Sequence, residues 1–231
     1  GRGGVVRRRG GRRRSWILRY LLVPVWRPAH GIRDIVIARR GLARALALYL
    51  GLCLLYTGTI ILGYLRGFGA PTAPLLVIEP GSYYLWEAFF AAPVYFLIAI
   101  AFAGTAHLVA RGLGGRGTFD DVLTIYAVAT VLPTLLTMWL PETVFFAAAT
   151  GPFAPAVDRA TVVLANGIPT VPPPWPAWLD MGRIILGTVL WPLAVSAIGL
   201  RESHRLSMPA SVVAALAGLV PVVALVAVFI R

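Results

Sequence analysis

The stretch ALALYLGLCLLYTGTIILGYL, residues 45–65, contains no Asp, Glu, Lys or Arg. At ~1.5 Å per residue, a hydrocarbon core of roughly 30 Å requires about 20 apolar residues, with ~17 as the lower limit. Four further uncharged runs follow, and the five runs are 17 to 21 residues long. The sequence therefore predicts five membrane-spanning segments, which are Ala45–Leu65, Ala88–Ala106, Val122–Leu140, Ile184–Leu200 and Ser211–Ile230.

The composition favours lipid over water as the solvent of this chain. It is 58% hydrophobic over 231 residues, with a mean hydropathy of +0.80. A soluble fold would have to bury five helices that lack a polar face. Backbone groups in hydrocarbon must be satisfied internally, and the runs lack the alternation of barrel strands. We predict an all-α, polytopic membrane protein, a five-helix transmembrane bundle.

The arginine distribution predicts the orientation. All 21 basic residues are Arg, and 13 of them precede the first span. If that end is cytoplasmic, 17 arginines lie inside and 4 outside, as the positive-inside rule requires. We therefore expect a cytoplasmic N-terminus and an outside C-terminus. The absence of Lys suggests a GC-rich genome, so we expect a bacterial plasma membrane.

The residues before the first span divide into two parts. Residues 1–15 form an Arg-rich cytoplasmic tail that we expect to bind anionic headgroups rather than nucleic acid. Residues 16–44 form an interfacial amphipathic segment, separated into two pieces by Pro24 and Pro28. Its second piece is a basic amphipathic pattern from Ile32 to Leu46, typical of a helix lying in the interface. A membrane anchor is the preferred interpretation, and a partner-binding helix is the alternative. Residues 45–231 form the membrane domain.

The connection HLVARGLGGRGTFDD, residues 107–121, contains four glycines that permit a tight reversal. Thr118 is placed to cap the next helix, with Asp121 as the acidic member of a capping box. Alternatively, glycine N–H groups with Arg111 and Arg116 could hold a phosphate or a lipid headgroup. The adjacent aspartates would repel an anion, so the structural interpretation is preferred.

These residues resemble a known family. HLVARGLGGRGTFDD, the Pro133-containing span after it and IGLRESHRLSMPAS at 198–211 are similar to the YIP family, the Ypt/Rab-GTPase-interacting membrane proteins, especially its prokaryotic branch. The resemblance covers residues 24–231 and implies a five-span fold with a cytoplasmic N-terminus. Eukaryotic members are associated with Rab GTPases and vesicle traffic. Those members carry a longer cytosolic segment where this chain has a short Arg-rich one.

Nothing in the sequence marks an enzyme. There is no HExxH, no GxSxG and no Cys pair, since Cys53 is the only cysteine. An approach of His107 and His204 near Asp120, Asp121 and Glu202 would permit a metal cluster. Histidines at helix ends are more often interface partners, so we expect no catalytic residue, no cofactor and no metal.

The predicted outer connection, Pro141–Arg183, is unusually apolar. VFFAAATGPFAP either extends the third helix or lies in the interface. IPTVPPPWPAWLD is typical of a stiff polyproline stretch, with Trp175 and Trp178 at headgroup depth. The connection is either a membrane lid or a docking surface.

We expect a non-catalytic membrane scaffold or accessory subunit that binds lipid with anionic headgroups, and membrane-protein partners or further copies of itself. The alternative is a small-solute or lipid transporter, although Glu87 and His107 are expected to flank the second span rather than to lie within it. The residues expected to contact headgroups or partners are Arg39, Arg40, Arg44, Arg111, Arg116, Trp175 and Trp178.

Overall fold

The computed structural model of the protein describes residues 16–38, 40–67, 78–148, 163–165, 168–170 and 176–229. Five of its helices are long and apolar enough to cross a membrane. The predicted all-α class and the predicted number of spans are therefore confirmed. The five spans are Gly41–Leu65, Tyr83–Gly112, Phe119–Val144, Met181–His204 and Met208–Phe229.

The first, second and last spans are continuous helices. They are α3 (Gly41–Leu65), α4 (Tyr83–Gly112) and α9 (Met208–Phe229), and a short 3₁₀ turn at Pro80–Ser82 leads into α4. The α4 and α9 helices pack side by side and antiparallel, because the Tyr83 hydroxyl donates to the Phe229 carbonyl at 3.0 Å. The start of α4 and the end of α9 thus lie at the same end of the bundle.

The third and fourth spans each contain a π-helical turn. The third consists of α5 (Phe119–Thr134), the turn Leu135–Trp139 and α6 (Leu140–Ala148). The fourth consists of α7 (Ala177–Ile184), the turn Ile185–Leu190 and α8 (Trp191–His204). Proline lacks the N–H of a regular helix, and Pro141 and Pro192 each lie two residues after the end of one of these turns. In a regular helix their N–H groups would bond the carbonyls of Thr137 and Thr188 within the turns, so the prolines explain where α-helical hydrogen bonding is interrupted.

The two π turns contact each other. A Cβ on Gly187 would overlap the hydroxyl oxygen and Cβ of Thr137, so the contact requires glycine. The Thr137 hydroxyl donates to the Pro133 carbonyl at 2.8 Å, and the Arg183 guanidinium donates to the Thr137 carbonyl. Side chains thus supply donors to carbonyls of this widened segment.

The α5 helix lies at the centre of the bundle, since its span is the most buried of the five and it packs against α3, α4 and α8. The rings of Tyr126 and Phe102 stack at 4.4 Å. A Cβ on Gly218 would lie 2.9 Å from the Phe102 ring, so α9 approaches α4 closely. Ala127 and Ala129 are fully buried, as the small-residue packing of membrane helices predicts.

The N-terminal segment consists of two short helices, α1 (Trp16–Trp26) and α2 (Pro28–Val36). The predicted division near Pro28 is correct. The pattern from Ile32 to Leu46 does not form one helix, however, because α2 ends at Val36 and α3 begins at Gly41. A Cβ on Gly41 would overlap the Ile35 carbonyl, so glycine allows the reversal. Ile32 and Ile35 are buried, and α2 packs on α5 and α8. The apolar face of α2 therefore contacts the protein's own helices.

The connection between the third and fourth spans differs in part from the prediction. The α6 helix continues the third span to Ala148, which is the first of the two predicted alternatives for that segment. Strands β1 (Val163–Ala165) and β2 (Ile168–Thr170) form an antiparallel hairpin, so the polyproline prediction is wrong for residues 168–170. The sequence between these strands is Asn-Gly, a strong hairpin signal that the polyproline interpretation overlooked.

Candidate functional site

One end of the bundle carries a concentration of positive charge. It is formed by α1, α2 and the adjoining ends of α3, α4, α5, α8 and α9, and we call this surface the basic end. The acidic residues of the same segments are Asp34, Asp120, Asp121 and Glu202. Eight arginines there are exposed, namely Arg19, Arg27, Arg33, Arg40, Arg111, Arg116, Arg201 and Arg205. The basic end is therefore suited to bind anions.

The arginines near the start of the first span have different environments. Arg40 is exposed immediately before α3. Arg44 is half-buried, and its guanidinium carbon lies 5.7 Å from the centre of the Trp16 ring, a cation–π contact that joins α1 to α3. Arg39 lies outside the described residues, so its predicted role has no structural counterpart.

The capping box predicted at the start of α5 is confirmed. The Asp121 amide donates to the Thr118 hydroxyl at 3.2 Å, and the Thr118 amide donates to the Asp121 carboxylate at 2.8 Å. These bonds use N–H groups that a bound phosphate would need. The Arg111 guanidinium donates to the Gly115 carbonyl at 3.5 Å, and the Arg116 side chain is exposed. The geometry thus favours the structural interpretation of this connection.

Two histidines meet beside this connection, as the sequence suggested. His107 Nδ1 on α4 lies 3.3 Å from His204 Nε2 on α8. The His204 side chain is fully buried, and its Nδ1 lies 3.0 Å from the Ser203 hydroxyl oxygen. Asp120 is exposed, and Asp121 belongs to the capping box. Across the described ranges, no group of three or more His, Cys, Asp or Glu is arranged to hold a metal ion.

The glycine turn, which we define as residues 113–118, lies directly on the His204 ring. A Cβ on Gly115 would lie 2.9 Å from His204 Cδ2, and a Cβ on Gly117 would overlap Nδ1 of the same ring. The Arg116 amide donates to the His204 carbonyl at 3.1 Å. The glycines are required here because the backbone must approach an imidazole closely.

A comparison with protein families covers this region of the chain. The profile of the Yip1 domain matches residues 24–230, which include the glycine turn and His204. The chain belongs to the Yip1 family. The predicted resemblance to this family is therefore confirmed, and the protein is an integral membrane protein of Yip1 type. Comparisons with curated proteins and with solved structures found no match.

The predicted tryptophan contacts do not belong to the basic end of this Yip1 protein. Trp178 lies on α7, at the opposite end of the fourth span from His204, and is 73% exposed. Trp175 lies outside the described residues. The structure therefore brings Arg40, Arg44, Arg111 and Arg116 to one end and places Trp178 at the other.

The half of the bundle away from the basic end contains a buried carboxylate. Glu87 was expected to flank the second span, but it lies in the second turn of α4 and is fully buried. His107 also lies within α4. The predicted span begins at Ala88 because Glu87 is charged. Residues 83–88 contain no proline or glycine, however, so the helix begins earlier and includes Glu87.

Polar side chains also link the spans within the interior of the bundle. The Tyr49 hydroxyl donates to the Tyr95 carbonyl at 2.8 Å, and the hydroxyl oxygens of Thr59 and Thr143 lie 2.7 Å apart. A cavity of about 20 Å³ lies among Tyr49, Tyr95, Thr134 and other side chains. A single water needs roughly 10–15 Å³, so the cavity has room for one water molecule.

Proposed function

We propose that this Yip1 family protein is a non-catalytic scaffold or accessory subunit of a bacterial plasma membrane. In this proposal the basic end faces the cytoplasm and the end of α9 faces outside. The observation that carries the proposal is the set of eight exposed arginines that α1, α2 and the ends of the spans place on one surface. Positive charge is retained on the cytoplasmic side during insertion, which supports this orientation.

The basic end is the proposed contact with anionic lipid headgroups. Each basic residue near an anionic surface contributes about 1 kcal/mol of attraction. The exposed side chains of Leu18, Leu22 and Trp26 lie along one stripe of α1 at four-residue spacing, next to these arginines. Apolar side chains beside basic ones are typical of helices that bind the membrane interface.

The face of α3 that points away from the bundle is the proposed contact with a membrane protein, either a different protein or another copy of this chain. Gly51 and Gly58 lie on this face, and a Cβ on either would meet no atom within 4 Å. Leu54 and Leu55 are exposed between them. Small residues on an outward face allow a second helix to approach closely, which supports this assignment.

The lipid contact is tested by purifying the full chain in a mild detergent and quantifying the bound lipid by native mass spectrometry. We expect anionic lipid to remain on the wild type and to be lost when Arg111, Arg116, Arg201 and Arg205 are replaced by Gln. The matched control is Arg66→Gln, which removes an exposed arginine from the opposite end. Equal lipid retention by all three proteins would contradict the assignment.

The protein contact is tested by crosslinking in native membranes followed by affinity purification. We expect a reproducible membrane-protein partner, or a dimer of this chain, that is captured by the wild type and lost when Gly58 is replaced by Leu. A chain that purifies only as a monomer, with neither protein nor lipid attached, would contradict the proposed function.

A small-solute transporter is the second candidate, and Glu87 is the observation that favours it. Ionisable residues buried within membrane spans often mark ion pathways. The test is proton flux into proteoliposomes under an imposed membrane potential. Transport predicts flux that Glu87→Gln abolishes and that the exposed Glu79→Gln leaves intact. Equal and negligible flux for all three proteins would contradict a proton pathway through Glu87, the observation on which this candidate rests.

A further inference from the structure

We propose that His107 and His204 form a proton-binding site that controls the docking of the glycine turn onto α8. The pair joins two spans that are 97 residues apart in the sequence, at a nitrogen–nitrogen distance of 3.3 Å. It lies within the basic end, but its role is independent of lipid or partner binding there.

The geometry limits how many protons the pair can hold. Each neutral imidazole has one donor nitrogen and one acceptor nitrogen, whereas a protonated ring has two donors. The bond between His107 Nδ1 and His204 Nε2 therefore forms when both rings are neutral or when one is protonated. A second proton turns both facing nitrogens into donors and places two positive charges side by side, so the pair must separate.

The glycine turn is coupled to this separation because it lies on the His204 ring. The ring is fully buried beneath Gly115 and Gly117, and the Arg116 amide donates to the carbonyl of the same residue. A movement of His204 away from His107 thus disturbs contacts of the turn. The ring of Phe119 lies edge-on to the His107 ring, with the two ring centres 6.5 Å apart.

The charged side chains near the two histidines do not take over the role of proton-binding site. From α5 the nearest acid is Asp121, and the Thr118 amide already uses its carboxylate in the capping box. From α4 the nearest base is Arg111, which is bonded to the Gly115 carbonyl. On α8 and just beyond it, the sequence neighbours of His204 include Arg201, Glu202 and Arg205, and the turn itself contributes only Arg116. Histidine is the side chain whose ordinary charge change lies nearest neutral pH, and this sets the two pH values of the test.

The test is hydrogen–deuterium exchange of the full chain in nanodiscs at pH 7.5 and pH 5.0, with correction for the intrinsic pH dependence of exchange. One additional proton on the open state predicts that protection of the Arg116 amide falls by up to about tenfold per pH unit. Amides in the middle of α9 serve as the internal reference and are expected to keep their protection.

Two variants separate this proposal from general acid sensitivity. His107→Gln replaces one ring by a side chain that accepts a hydrogen bond without titrating, so we expect the acid-induced loss of protection to disappear. His30→Gln removes the exposed histidine of α2 and is expected to behave as the wild type. The proposal is overturned if the wild type shows no selective loss of protection at the turn, if His107→Gln shows the same loss, or if His30→Gln abolishes it. If His107→Gln does not fold, His107→Asn takes its place, since this side chain also accepts a hydrogen bond without titrating.

Discussion

Gly187 and Thr137 are in direct contact between the third and fourth spans, since a Cβ on the glycine would overlap the threonine side chain. Each residue lies within a π turn, so the third and fourth spans touch where both depart from α-helical hydrogen bonding. In other proteins, π turns frequently lie at functional sites, so we expect the two spans to bend at this junction. Its close packing has measurable consequences.

Replacing Gly187 by Ala should destabilise the bundle by roughly 1–3 kcal/mol, the usual cost of overpacking a filled interior. The measurement is the midpoint of thermal unfolding in detergent. The matched control is Gly58→Ala on α3, where a Cβ would meet no atom within 4 Å. We expect a lowered midpoint for the first variant and little change for the second. Equal midpoints would show that the two π turns are not packed as described.

The hydroxyl pair of Thr59 and Thr143 should show a measurable coupling energy. Their oxygens lie 2.7 Å apart and join α3 to α6. Side-chain hydrogen bonds between membrane helices average about 0.6 kcal/mol in double-mutant cycles. We expect a coupling of that size from Thr→Val replacements at both positions. The control cycle pairs Thr57 with Thr143, for which the structure gives no mutual hydrogen bond, and should give a value near zero.

The capping box at the start of α5 should be worth about 0.5–2 kcal/mol, because Thr118→Ala leaves the Asp121 amide without its acceptor. Thr118→Ser keeps a hydroxyl and should restore most of the stability. Thermal unfolding and amide exchange in the first turn of α5 both report on this change. A variant Thr118→Ala that is as stable as the wild type would mean that the cap contributes nothing.

The orientation proposed for the membrane predicts which positions a membrane-impermeant maleimide can reach. The buried Cys53 is replaced by Ala, and a single cysteine is then introduced as Ser207→Cys at the basic end or as Glu79→Cys at the other end. In intact cells we expect labelling of the Glu79→Cys variant and protection of the Ser207→Cys variant. The opposite pattern would reverse the topology, and labelling of both would contradict five crossings.

The spans were predictable because lipid demands long uncharged helices, but their ends were not. The α4 helix extends from Tyr83 to Gly112, whereas the apolar run covers only Ala88–Ala106. Glu87 is buried between helices and Arg111 reaches the surface, so charge in the sequence did not mark the helix ends. Local hydropathy cannot distinguish a charge facing the bundle from one facing water.

The candidate site was predictable in part, for a physical reason. The capping box of Thr118 and Asp121 is a local pattern, so four residues of sequence suffice to predict it. The His107–His204 contact depends on two distant helices ending side by side, and the sequence indicated only that both lie near the same membrane surface. The contact of Gly187 with Thr137 had no sequence signal apart from prolines near each segment.

The facing π turns mark where this chain can change its length. A π turn holds one residue more than the α-helical turn that it replaces, so removing one residue from it would restore a regular helix and leave both flanking segments facing nearly the same way. A deletion elsewhere in a span would rotate everything beyond it by about 100°, since an α-helix has 3.6 residues per turn, and would point lipid-facing side chains into the interior. Single-residue deletions should therefore be tolerated better at either π turn than elsewhere in the same span, and a shortened turn in one span would call for a matching repair in its neighbour.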